Sequence, residues 1–327
     1  MKKTLIPLLA SFIFISIYAF DPSTPKNGNL YSKHSLNLDQ TNPKLYSINS
    51  LNEKKHPLFK NGRLFETIEN MGAKIPKSIG INIGSDVVTT PEGYHVALTG
   101  NGNRYNHRIF GPKKEATGFV VIKNGQVTAK YELSGKRIFE TLRPLIADII
   151  PENPGSEILL TASDSDQGAR LEIYSMTGAF IGSSEAIGKG YRWMHLLAVA
   201  PFGPNGEIEI ATVRTPHIGG ILEYYRWNGK ELIKTASLEG VSTHRINSNN
   251  LNMAIAADFT GNHKVELFLP SQDFRTLILV KRIQAGVTML KTIPLNGELN
   301  TNLMITTYPK KSLWLGTNNN TFTEYGY

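Results

Sequence analysis

The sequence predicts an all-β fold, a β-propeller of about five four-stranded blades with six or seven as the alternatives, and three observations carry that expectation. The second half repeats a strand, an acidic turn and a second strand: LIADIIPENPGSEILL from Leu145, LAVAPFGPNGEIEIATV from Leu197, MAIAADFTGNHKVELFL from Met253, and a degenerate LMITTYPKKSLWLG from Leu303. A period of roughly fifty residues in a β pattern marks sheet units that cannot bury their faces alone and must stack. From Ile81 onward apolar residues alternate at period two, as strands require. Hairpin dipeptides recur between the apolar runs, at Asn124-Gly125, Thr177-Gly178 and Asn228-Gly229.

Taken in order, residues 1–19 read as a secretory signal peptide. Lys2 and Lys3 precede an apolar run from Leu5 to Tyr18 that ends at Ala19, a small residue suited to cleavage. The run is too short and too early for a stable membrane span; an uncleaved anchor is the competing reading. The expected location is therefore periplasmic or secreted, with no transmembrane helix left after cleavage. Residues 20–75 form a polar arm rich in Asn, Ser, Lys and Pro, within which Leu64, Ile68 and Met71 are spaced for one short helix over 59–73. Residues 76–327 are the propeller domain. Its first blade is expected over 81–140, and its last combines the C-terminal strands with an N-terminal one, which removes exposed sheet edges.

Within the repeat, Asp148, Pro201 and Asp258 occupy the same position, 53 and 57 residues apart, so the length variation falls in loops. Glu157, Glu209 and Glu266 follow at the start of the second strand, and their regular recurrence assigns them to hydrogen bonding between blades.

Composition narrows the chemistry. The chain has no Cys, which excludes disulfides, a thiol nucleophile and a lipidated N-terminus. Lys2 and Lys3 leave with the leader, so the formal charge falls from +8 to +6. Lys54-Lys55, Lys113-Lys114 and Lys310-Lys311 are isolated pairs rather than a stripe, which reads as solvated surface and makes nucleic acid an unlikely partner. No G-x-S-x-G elbow occurs, and GNGN at Gly100 to Asn103 lacks both the P-loop lysine and Rossmann spacing.

The stretch from Ala257 to Glu266, ADFTGNHKVE, resembles the FG-GAP or VCBS-type propeller repeat, whose core reads roughly A-D-φ-D-G-D-G-x-x-E/D-φ. From about Ile75 the chain is similar to a group of uncharacterised bacterial proteins carrying such repeats, through RYNHRIFG from Arg104, GYRWMH from Gly190, RTPHIGG from Arg214 and THRINSNNL from Thr243. The resemblance implies a propeller and a signal peptide, and no known activity. It also implies calcium in the acidic turns, but Thr260 and Asn262 stand where carboxylates are usual. Asp164 and Asp166, in Asp164-Ser165-Asp166-Gln167-Gly168, look like half of a calcium loop, with an ordinary polar loop as the alternative.

The candidate site lies between the acidic turns. Arg104-Tyr105-Asn106-His107 and Arg192-Trp193-Met194-His195 are the same Arg-aromatic-x-His tetrad. Arg214, with Thr215-Pro216-His217, and Thr243-His244-Arg245 add two further imidazoles. Guanidinium, imidazole and aromatic planes gathered at one end of a propeller suit an anionic or sugar-like ligand. The expected function is a binding or interaction module whose partner is an envelope polymer, an anionic ligand or a protein. Its alternative is a hydrolase or lyase using one His as base and an Arg as charge stabiliser. Two further readings compete: side chains that tie blades together, and a His-rich metal centre.

Overall fold

The computed structural model describes residues 79–326 apart from 83, 91, 113–114 and 307–311, together with the backbone of Lys44–Ser47, Leu58–Lys60 and Arg63–Phe65. The expected leader and most of the arm lie outside the described residues. In chain order the strands begin with β1 (Lys44–Ser47), β2 (Leu58–Lys60) and β3 (Arg63–Phe65). A first sheet follows, β4 (Val87–Thr89), β5 (Tyr94–Thr99), β6 (Gly118–Lys123) and β7 (Gln126–Glu132). The second contains β8 (Ile138–Phe139), β9 (Leu145–Ala147), β10 (Glu157–Asp164), β11 (Gly168–Ser175) and β12 (Phe180–Ser183). The third is β13 (Met194–Ala200), β14 (Glu209–Arg214), β15 (Ile221–Trp227) and β16 (Leu232–Glu239). The fourth is β17 (Ile255–Ala257), β18 (Glu266–Pro270), β19 (Thr276–Ile283) and β20 (Gly286–Pro294). The remaining strands are β21 (Met304–Thr306), β22 (Ser312–Gly316) and β23 (Thr321–Gly326), and the fifth sheet runs β1-β23-β22-β21. The described residues are thus all-β, in five open antiparallel sheets of four or five strands and one two-stranded hairpin.

Two expectations change here. Where a short helix is expected over 59–73, Leu58–Lys60 pairs antiparallel with Arg63–Phe65, so the first part of that segment is a hairpin; the rest lies outside the described residues. Leu64 has helical spacing to Ile68, but Asn61-Gly62 between two short apolar runs is a hairpin signal, and it prevails. The first sheet also ends earlier than residue 140, because β8 pairs with β10 of the second sheet.

Period-two alternation explains the core. On β10, Ile158 and Leu160 join Val96, Leu98, Phe119 and Tyr174 between the first and second sheets. Leu159, from the opposite face, packs with Ile173, Val199 and Ile210 between the second and third. Leu222 meets Leu267 and Val280 between the third and fourth, and Phe268 meets Leu313 and Leu315 between the fourth and fifth. Each central strand therefore buries both faces, so β10, β14 and β18 are buried almost without a break, including their threonines, Ser163 and leading glutamates. The outer strands β7 and β16 alternate toward solvent.

The repeated glutamates are buried at the starts of the second strands. Glu157 accepts from the Ile149 amide at 2.9 Å, and Glu266 accepts from the Phe259 amide at 2.8 Å and the Thr260 hydroxyl at 2.8 Å. They close their own turns rather than joining neighbouring sheets. Glu209 alone among the three reaches a neighbouring sheet, through Arg282 of β19 at 3.1 Å, while Arg226 holds its other oxygen at 2.6 Å.

Candidate functional site

In an antiparallel sheet successive connections alternate between the two ends. The start of β13, the β14–β15 connection and the exit from β16 therefore share one end of the third sheet, and they carry Trp193 and His195, His217, and His244. The β5–β6 connection of the first sheet brings His107 to the same cluster: Trp193 Nε1 donates to the Glu140 carbonyl at 2.8 Å, and the Asn247 amide donates to the Ile109 carbonyl at 2.7 Å. Ile109, Phe110, Leu142, Trp193 and Leu251 form the apolar floor.

Trp193 is the hub. Its indole stacks on His195 at 4.8 Å and 18° and on His217 at 5.6 Å and 17°, and meets His244 edge-on at 4.9 Å. His244 Nε2 faces the Ser248 carbonyl oxygen at 2.9 Å, which can only accept, so this nitrogen carries the proton. A neutral His244 then accepts at Nδ1, and His217 Nε2, 2.9 Å away, is the donor. His195 Nδ1 pairs with the Thr243 hydroxyl at 2.8 Å, and its Nε2 is buried without a hydrogen-bond partner. Burial depresses all three imidazoles: His217 falls to about 4, helped by the charge of His107, and His244 to about 3, helped by His217. His195 is held well below its ordinary value by burial, with His244, Arg143 and His217 adding to the effect.

His107 differs from these three. Its Nδ1 lies 2.7 Å from Glu140 Oε1, and it keeps partial solvent exposure. Glu140 is buried, which raises its pKa, while His107 and the Ser163 hydroxyl pull it back down. Tyr105 packs edge-on to the His107 ring at 5.3 Å and in parallel on Tyr191 at 5.1 Å and 17°.

The loops holding this cluster adopt costly backbone conformations. Asn106 and Arg108 flank His107 with φ of 59° and 56°, Tyr191 has 55°, Thr215 has 48° and Asn247 has 67°. Left-handed backbone is unfavourable for bulky residues and especially for β-branched Thr, and it persists only where surrounding contacts enforce it. Gly190 allows one such loop to close, because a Cβ there would stand 1.9 Å from the Ser165 carbonyl oxygen.

The arginines do not join the imidazoles. Arg104 reaches the Leu133 carbonyl and Glu132, and Arg192 bonds the Tyr191 carbonyl. Arg245 pairs with Glu298 at 3.0 Å and covers the Phe274 ring at 4.0 Å. Arg214 binds Glu223 at 3.0 Å and lines a separate cavity of ≈ 350 Å³ with Met194, Ile187, Leu232 and Lys234. Asp164 Oδ1 accepts from the amides of Asp166 and Gln167, and Asp258 accepts from those of Gly261, Asn262 and His263, so both carboxylates organise turns. Among the described residues no three His, Asp or Glu side chains are grouped to hold a metal ion.

Sequence reading missed Glu140 and Tyr191. The signal for Glu140 was present: it is the one acid inside the mostly apolar stretch RIFETLRPLI, and an acid buried there needs a partner. Tyr191 was hidden by its position before the tetrad.

No family model matches the sequence, and no curated protein matches it. Among solved structures it is similar to the crystal structure of a protein of unknown function from Bacteroides caccae, at 12% identity and a TM-score of 0.35. That match covers 68% of this chain and 65%, less than two thirds, of the other.

Proposed function

We propose that the five sheets are the blades of a β-propeller of FG-GAP or VCBS type, and that the protein is a periplasmic or secreted binding module whose ligand face is the loop end around Trp193. The observation that carries this reading is the convergence of His107, His195, His217 and His244 on one end of the sheet stack. Core packing alone does not require four imidazoles there, nor the left-handed residues that hold their loops. His195 and His244 are buried and serve the scaffold, so ligand contact falls to His107 and His217 and to the exposed side chains beside them. The partners of this reading are an anionic small molecule, an envelope polymer or a protein.

The test is thermal shift of the full chain with inorganic phosphate, polyphosphate, teichoic acid, polygalacturonate and divalent metal salts. A stabilising shift with an anionic probe, lost in His107→Ala and His217→Ala, is expected. No shift with any anion overturns the ligand reading and leaves protein partners.

A hydrolase or lyase is the second reading, and the His107–Glu140 pair favours it. A carboxylate on Nδ1 leaves Nε2 of a neutral imidazole as a base. Formation of unsaturated product from polygalacturonate, followed by ultraviolet absorbance and abolished in His107→Ala, would establish it.

A further inference from the structure

Resting on the binding reading above, we propose that the face of Tyr191 is a saccharide subsite, with His107 as the hydrogen-bonding group at its edge and Glu140 as the residue that positions it. Tyr191 is 48% exposed, unusually open for a large aromatic residue in an ordered loop. One of its faces rests on Tyr105, which is only 2% exposed, so the ring is backed like a shelf while Tyr191 itself stays open to solvent. The backbone fixes the shelf: Tyr191 has φ of 55°, and Gly190 is pressed against the Ser165 carbonyl. His107 stands nearly perpendicular to the Tyr191 ring, at 85° and 5.7 Å between centroids.

A flat apolar plate with a planar polar group upright at its rim matches the two kinds of surface on a pyranose ring. The C–H face of the sugar covers the plate, and its equatorial hydroxyls point outward to the rim. Glu140 occupies His107 Nδ1, which leaves Nε2 to meet a hydroxyl, and Glu140 is itself anchored through its carbonyl to Trp193 and its amide to the Thr161 carbonyl. The imidazole is therefore oriented before any ligand arrives, which lowers the entropic cost of binding. Asn106 and Arg108 are exposed on the same loop and extend the polar rim.

Affinity electrophoresis of the full chain through gels containing polygalacturonate, xylan or dextran tests the assignment. Retarded migration in at least one gel is expected, abolished in Tyr191→Ala and weakened at least about tenfold in His107→Ala. Tyr191 is a surface residue, so its variant should melt normally, which separates lost binding from lost fold. Glu140→Gln keeps an acceptor for Nδ1 and is expected to retain binding, whereas Glu140→Ala, which removes that acceptor, is expected to weaken it at least about tenfold; equal retardation of the two variants removes Glu140 from the proposal. Retardation that survives in both Tyr191→Ala and His107→Ala overturns the subsite. So does absence of retardation in all three gels; if polyphosphate still shifts the melting curve, the binding reading stands and the saccharide inference alone falls.

Discussion

Burial holds the three imidazoles around Trp193 in the neutral form, and two of them, His217 and His244, are also joined by a hydrogen bond. Protonating His244 would place an N–H against the N–H that His217 offers it, 2.9 Å away. The sign of the pH effect follows. The folded values of about 4 for His217 and about 3 for His244 lie below the ordinary 6.5, so their contribution is complete above pH 6.5 and is lost as the pH falls toward those values. Glu157 works in the opposite sense: burial raises it to about 7, so its contribution is complete below 4.5 and is lost as the pH rises through 7. Urea midpoints at pH 7.5 and 5.0 should therefore show an acid-side decline that becomes shallower in His217→Gln; an unchanged slope would count against the coupled pair. Trp193→Ala removes the shared stacking plane and should destabilise by about 3–5 kcal/mol, measured by denaturant unfolding. Thr215→Gly should do the reverse, stabilising by up to about 1 kcal/mol, since a β-branched residue at φ 48° costs more than the backbone freedom glycine adds.

At the scale of strands and turns, short apolar stretches separated by turn residues located most of the repeat, because each sheet brings its strands to the chain in the same order. EILLTAS became β10, IEIATVR became β14 and VELFLP became β18, with turns at Asn124-Gly125, where both residues have φ > 0, and at Asn228-Gly229, where only the glycine does. The acidic turns were legible as turns, and their chemistry emerged only with the geometry. Asp258 spends its oxygens on three amides of its own loop, which spacing alone does not reveal. The short hairpin of β2 and β3 was misread because three apolar residues at helical spacing outweighed one Asn-Gly. Between sheets, Arg282 is the link that sequence could not show, reaching Glu209 from β19 while it is itself 6% exposed. Arg282→Met should lower stability by roughly 3 kcal/mol, because it strips one partner from a fully buried carboxylate that Arg226 then holds alone. Equilibrium unfolding of Arg282→Met, with Glu209→Gln added to relieve the orphaned charge, separates that penalty from lost packing.

For the whole molecule, the sheets follow one another in chain order and share a core with each successor, so the arrangement of apolar surface was largely readable from the repeat. The site was readable only in part. Four imidazoles were picked out because they sit in Arg- and aromatic-rich segments that packing does not explain; three of them, His195, His217 and His244, pack around Trp193, and His107 is joined to that group through Glu140. Three of the four arginines beside them turn away to carboxylates, Arg104 to Glu132, Arg214 to Glu223 on the adjoining strand and Arg245 to Glu298, and Arg192 bonds the Tyr191 carbonyl. The fifth sheet joins two distant parts of the chain, with Lys44 opposite Glu324 and Ser47 opposite Thr321. Deleting residues through Ser47 should lower the melting temperature and produce concentration-dependent association by size-exclusion chromatography, since β23 then presents an unpaired edge. That same pairing bears on biosynthesis. β1 leaves the ribosome before any other described strand, yet its partner is the last one made, so it must wait through the synthesis of every intervening sheet. A ladder of such long sequence separation forms slowly, and the fifth sheet is therefore the step at which a nascent chain depends most on protection from its neighbours.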